Sequence, residues 1–272
     1  MFDEVVACLD GSPTAERILP VARTISTAMQ GHMTLLRVVA DNDELAAEEG
    51  SLRELARRYG AEVRFVFSDD VPGAIIGEIE KRPSSIPAMT SHGRTGLVQA
   101  LMGSVALRVV RSCGRPVLVY RPLGKDPGPP AGIKTIAIAL DGGKSAEHAI
   151  PHSIELAKGL RSRLLLLQAV PLQPPLAAGP DQETIIMLES SYLRRKAAVL
   201  RQENGIEVDW EVLHGDAAAA IPEFLRGRRD AILSMTTHTS GLKRTFPGSV
   251  AAACVQNSGL PMLIYWTPEP SR

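Results

Sequence analysis

Short apolar runs alternate along this chain with longer stretches whose apolar residues recur at helical spacing. The first run, Glu4 to Leu9, is rich in β-branched residues and ends at Asp10-Gly11-Ser12-Pro13, a cluster of turn formers, so it predicts a buried strand and its loop. Ser12 or Thr14 can cap a following helix carrying Ala15, Ile18, Leu19, Ala22 and Ile25, with Pro20 expected to bend that helix or delay its start. Met33 to Val39 predicts a second buried strand, and Leu45, Leu52, Leu55, Ala56 and Tyr59 mark a second helix closed by Gly60. Residues 61–67 alternate as a third strand does, Pro72 to Lys81 predicts a third helix, and Ile86 to Met89 a fourth strand. A helix from Ser104 to Ser112 and a strand from Pro116 to Tyr120 complete the series. Strands that alternate with helices, spaced too widely for hairpins, imply parallel pairing, right-handed crossovers and a five-stranded α/β layer sandwich.

The pattern then recurs. Residues 121–132 are dense in proline and glycine and read as a semi-rigid linker. Beyond them Thr135 to Leu140 and Asp141-Gly142 overlay the first strand and Asp10-Gly11, and Pro151 overlays Pro20, both 131 residues further on. Asn204-Gly205, Gly248-Ser249 and the run from Gly259 to Tyr265 match Tyr59-Gly60, Gly103-Ser104 and Gly114 to Tyr120 at a spacing of 145, the difference reflecting a proline-rich insertion at 171–180. So many agreements in one order identify an internal duplication. The expected domains are 1–122 and 133–272, joined by a linker over 123–132.

Composition narrows the function. With 30 Lys+Arg against 30 Asp+Glu the net charge is zero, which argues against a nucleic-acid or anionic-membrane partner. No apolar run is long enough to span a bilayer, and the start shows no export signal, so a cytoplasmic protein is expected. Cys8, Cys113 and Cys254 are too far apart for a zinc spacing and odd in number, as expected of small buried residues in a reducing compartment.

Candidate chemistry gathers at Met89-Thr90-Ser91-His92-Gly93-Arg94-Thr95-Gly96, followed after six residues by Gly103-Ser104 at the head of a helix. Glycines permit close backbone approach, and a helix start offers unpaired N–H groups to an anion, so the stretch reads as a phosphate cradle. Asp10 and Asp141 each end an apolar strand, where they can form an Asx-turn or face the crevice in which α/β sheets hold ligands. His92 and His238 recur in both halves, and loop packing accounts for them better than base catalysis, since the sequence places no nucleophile beside them. His148 and His152 stand i, i+4 on a predicted helix but lack a third metal ligand, so a solvated helix face is expected. Solvated faces also account for Arg57-Arg58, Arg194-Arg195-Lys196 and Arg226 to Arg229.

Asp10 and Asp141, the His92-Gly-Arg-Thr-Gly-Leu97 run, and the Gly103-Ser-Val-Ala106 helix start before Pro116-Val-Leu-Val119 resemble the universal stress protein family, as two tandem domains covering essentially the whole chain. The resemblance implies two Rossmann-like (adenine nucleotide alpha hydrolase-like) domains, each a five-stranded parallel sheet with helices on both faces. It also implies binding of ATP or a related adenine nucleotide, with Asp10 at the ribose or phosphates, Val38 at adenine, Met89 and Thr90 beside the nucleoside, and Gly93, Gly103, Ser104 and Val105 at the phosphates. Asp141, Met235, Thr236, Gly248, Ser249 and Val250 are the counterparts in the second half. Thr90 stands where that family's loop has its first glycine, and the second loop is one residue shorter. No Walker-type lysine follows either cradle, so Mg²⁺ would be held mainly by phosphates and water, and rapid hydrolysis is not expected. The implied role is a stress-response binding protein with no catalytic residues and no protein-held metal. The two last strands are expected to pair within the chain, and a homodimer is an open possibility. The rival readings are an interaction module with closed clefts and a slow ATPase.

Overall fold

A computed structural model of the chain describes residues 2–91, 102–123, 132–171, 182–237 and 248–267. The first half runs β1 (Glu4–Leu9), α1 (Pro13–Glu16), α2 (Leu19–Ala28), β2 (His32–Val39), α3 (Asn42–Tyr59), β3 (Glu62–Phe67), α4 (Val71–Glu80), β4 (Ser85–Thr90), α5 (Ser104–Ser112) and β5 (Val117–Tyr120). The second half repeats that order as β6 (Thr135–Leu140), α6 (Lys144–Glu147), α7 (Ala149–Leu160), β7 (Arg163–Val170), α8 (Gln182–Asn204), β8 (Val208–His214), α9 (Ala217–Leu225), β9 (Ala231–Thr237), α10 (Ser249–Asn257) and β10 (Met262–Trp266). Pro20 delays the first long helix: α1 stops at Glu16 and α2 restarts with the proline in its first turn, where a missing N–H costs nothing. Asp41 caps α3 by accepting from the Glu44 N–H at 2.8 Å, and Gly60 ends it in the left-handed conformation that favours glycine. Most of the predicted linker and the proline-rich 171–180 insertion lie outside the described residues.

All ten strands form one sheet, ordered β3-β2-β1-β4-β5-β10-β9-β6-β7-β8. Within each half the neighbours are parallel, while β5 and β10 pair antiparallel with Leu118 opposite Leu263, Val119 opposite Met262 and Val117 opposite Ile264. Leu263 lies 145 residues after Leu118, so the residue at the centre of the seam meets its own repeat counterpart. The register is therefore that of a twofold axis inside one chain. Central strands such as β4 and β6 are buried throughout, whereas the outer strand β3 alternates between half-buried and exposed residues, which explains the continuous apolar runs of the first and the period of two in the second. Two apolar layers, one on each face of the sheet, run across both halves. Helices α2 and α7 meet at the seam, where a Cβ on Gly159 would come within 3.3 Å of the Ala28 carbonyl oxygen.

Candidate functional site

The strand order creates the site. From β1 the chain moves outward to β2 and β3, then returns to the opposite side of β1 as β4, so the segments leaving β1 and β4 diverge and open a crevice at their carboxyl ends. A cavity of about 270 Å³ lies there, and Asp10, Val38, Met89, Thr90, Gly103, Ser104 and Val105 all line it. Gly93 and His92 fall outside the described residues, as does His238. The second half repeats the switch between β6 and β9 around a cavity of about 290 Å³ lined by Asp141, Met235, Thr236, Gly248, Ser249 and Val250. Residues drawn from separate stretches of sequence thus converge twice. Thr90 is buried in the wall of the first cavity and leaves it open.

Local hydrogen bonds refine the roles expected of individual residues. Asp10 Oδ1 accepts from the Ser12 backbone N–H at 2.9 Å and from Ser12 Oγ at 2.6 Å, and Ser12 Oγ in turn accepts from the Ala15 N–H to cap α1. Asp141 Oδ1 accepts from the Gly143 N–H at 2.8 Å. Each carboxylate therefore closes an Asx-turn while lining its cleft, and the following glycines, Gly11 and Gly142, occupy φ of 80°, a value that disfavours any side chain. The expectation that the Gly103 N–H would meet a phosphate needs correction, because it donates to the Ser91 carbonyl oxygen at 2.6 Å. The Gly248 N–H likewise donates to Thr237 Oγ1 at 2.9 Å. Helix geometry leaves the donors one step further in, the N–H groups of Ser104, Val105 and Ala106 and of Ser249, Val250 and Ala251, without intrahelical partners. Neither helix has a side-chain cap. Each start therefore presents about half a positive charge to its cavity.

Arg37 was not anticipated. It lines the first cavity yet is itself buried, in the middle of the apolar β2. Its Nη2 donates to Glu44 Oε1 at 2.5 Å and to Glu48 Oε1 at 3.0 Å, Nε donates to Glu48 Oε2, and Nη1 to the Val38 carbonyl. Burial alone would lower the guanidinium pKa; Glu48, Glu44 and Asp10 together hold it above its ordinary value. A lone arginine inside an apolar run, followed by two glutamates one helical turn apart, was the available signal. Gln168 occupies the corresponding place in β7, so the second half has no counterpart of this arginine clamp.

The remaining candidates take structural roles. His152 is not on a solvated face: its ring lies half-buried between those of Phe2 and Tyr265, with centroids 5.5 and 5.2 Å away. His148 Nδ1 sits 3.2 Å from the Ser145 carbonyl oxygen. Cys8, Cys113 and Cys254 are buried free thiols, and burial pushes Cys8 and Cys254 up to about 12, which suppresses the reactive thiolate. Among the described residues no group of three or more side chains is placed to hold a metal ion, and no helix is long and apolar enough to cross a membrane.

Comparison with known proteins gives consistent matches. A model described as the universal stress protein family matches residues 42–121 and 132–265. A universal stress protein of Methanocaldococcus jannaschii is 30% identical over 142 residues, which is 50% of this chain and 84% of that protein. Among solved structures, a universal stress protein from Archaeoglobus fulgidus DSM 4304 superposes with a TM-score of 0.74 at 19% identity, covering 97% of this chain and 98% of that one. A functionally unknown protein from Pseudomonas aeruginosa PAO1 gives 0.68 at 18%, covering 97% and 92%. At such identities these two likenesses speak to the fold alone.

Proposed function

The chain belongs to the universal stress protein family, and from that premise we infer that it is a tandem member which binds an adenine nucleotide, ATP foremost, and works as a regulatory binding protein in the cell's response to stress. The observation that carries this reading is the convergence of Asp10, Val38, Met89, Thr90 and the uncapped start of α5 on one cavity at the switch point of the sheet. In this reading the apolar side chains of Val38 and Met89 receive the base, and the N–H groups of Ser104, Val105 and Ala106 receive phosphate oxygens at the positive end of the helix. Asp10 faces the sugar or the metal-bound phosphates. Mg²⁺ bound with the nucleotide would be held mainly by the phosphates and water. Free, buried cysteines suit the reducing cytoplasm in which we place the protein. The paired halves act as an internal dimer, and any further self-association would use another face.

The first cleft is the stronger candidate, because the second loop is one residue shorter. A clean test replaces Ser104 by proline. Gly103 has φ −58° and ψ 147°, a conformation that a following proline accepts, and proline at the first helical position is well tolerated. Ser104→Pro removes one N–H and one hydroxyl from the cradle while keeping the helix. Titration calorimetry with ATP and Mg²⁺ should show the wild-type chain binding and the variant weakened by about tenfold or more, as expected for lost hydrogen bonds to a charged group, with melting of the free protein unchanged. A flat titration of the wild type, together with purified protein that releases no adenylate on denaturation, would reject the proposal.

A further inference from the structure

The internal duplication allows each half to be compared with the other away from the clefts, and one site differs in a way that implies a ligand. In the first half, Glu78 of α4 is a buried carboxylate that accepts from Lys81 Nζ at 2.6 Å, Arg82 Nη1 at 2.8 Å and Arg64 Nε at 3.2 Å. Arg82 also lies 3.4 Å from Glu4. In the second half Arg228 stands where Arg82 does, but Phe224 replaces Glu78 and Thr135 replaces Glu4. Both carboxylate partners of the arginine are gone.

Beside Phe224 lies a cavity of about 300 Å³ against strands β7 and β8, lined by Arg163, Arg201, Arg228, Asp209, Glu211 and Phe224 among others. Asp209 Oδ2 accepts from Arg163 Nη1 at 2.6 Å. Among the described residues the other two guanidiniums meet no carboxylate: Arg228 lies over the Phe224 ring at 4.4 Å and donates from Nε to the Phe224 carbonyl at 3.3 Å, and Arg201 donates to the Val208 carbonyl. A planar guanidinium fork is matched to a carboxylate; here two forks border an open cavity, whereas the sister domain carries the carboxylate partner of its arginine on the chain itself. We propose that this pocket binds a small organic carboxylate, which pairs with Arg228 as the Glu78 carboxylate pairs with Arg82 in the first half. Glu211, of like charge to the ligand, keeps the affinity modest.

The full chain titrated with succinate at low ionic strength tests this. One succinate per chain should bind, about tenfold or more weaker in Arg228→Gln, as the loss of charge-assisted hydrogen bonds requires. Phe224→Glu should abolish binding by returning a carboxylate to the chain itself, while ATP binding at the first cleft, in the other half of the chain, is unchanged. Arg163→Gln and Arg228→Gln leave Phe224 in place, so the test survives a failure of Phe224→Glu to fold. The proposal is overturned if the wild type gives no heat with succinate, if succinate binds both arginine variants as tightly as the wild type, or if sulfate binds as tightly as succinate and the pocket has no preference for carboxylates.

Discussion

Glu78→Gln tests the buried ion cluster of α4 in the first domain. The Glu78 carboxylate is 2% exposed and carries three cationic donors. Burial by itself would push its pKa up; the hydrogen bonds from Lys81, Arg82 and Arg64 more than reverse this and bring it from the usual 4.5 to about 2. A shift of that size corresponds to about 3 kcal/mol of stability. The side chains of Lys81 and Arg64 are 66% and 51% exposed, so solvent screening reduces the realised contribution to about 2 kcal/mol. Because the folded pKa lies below the unfolded one, this stability is fully present above pH 4.5 and is lost as the pH falls toward 2. Urea denaturation followed by circular dichroism should show Glu78→Gln less stable by about 2 kcal/mol at pH 7, with the gap shrinking by roughly 40% at pH 3.5. A gap of the same size at both pH values would mean that packing, and not the ionised carboxylate, sets the cost, and the reasoning would fail.

Burial holds the His152 pKa below its ordinary 6.5 despite the opposing pull of Glu155; the unfolded chain therefore takes up the proton first, and stability should decline as the pH drops through 6.5, a slope that His152→Phe should flatten in melts between pH 7.5 and 5.5. Arg37→Gln, which copies the residue at the equivalent position of the second half, strips Glu44 and Glu48 of their shared partner and should destabilise the chain by about 2–3 kcal/mol in urea titrations; an unchanged midpoint would refute the clamp.

The fold was readable because each local signal agreed with the next. The β-branched runs at Glu4 and Met33 are central parallel strands buried on both faces, the alternating run at 61–67 is an outer strand, and Pro20 and Gly60 mark helix boundaries through their backbone restrictions alone. The cleft residues were named from the family resemblance, and strand order accounts for their meeting, since the ends of β1 and β4 flank the switch point in any sheet of this topology. What stayed hidden depends on which atoms meet across the fold. That the Gly103 N–H is consumed by the Ser91 carbonyl follows from how the segment leaving β4 sits beside the start of α5. The half-buried place of His152 depends on Phe2 and Tyr265, residues 150 and 113 positions away in sequence, arriving at the same seam.

The duplication itself explains why the two halves diverge where they do. A topological switch point survives any substitution that preserves strand order, so both halves keep a cleft even though Arg37 lines the first and its repeat counterpart Gln168 is not among the residues lining the second. The seam is constrained differently: with Leu118 opposite Leu263, a change in either last strand alters a pairing that both domains share, and losing it would expose two sheet edges at once. Side chains remote from seam and switch point are under neither constraint. There the halves have reached separate solutions, a buried glutamate satisfied by its own cations in one and an arginine-lined cavity without that glutamate in the other. Fusion of two copies thus fixes the geometry that the copies share and leaves the chemistry of each half free to change, so differences between equivalent positions are the places to look for functions that belong to one half alone.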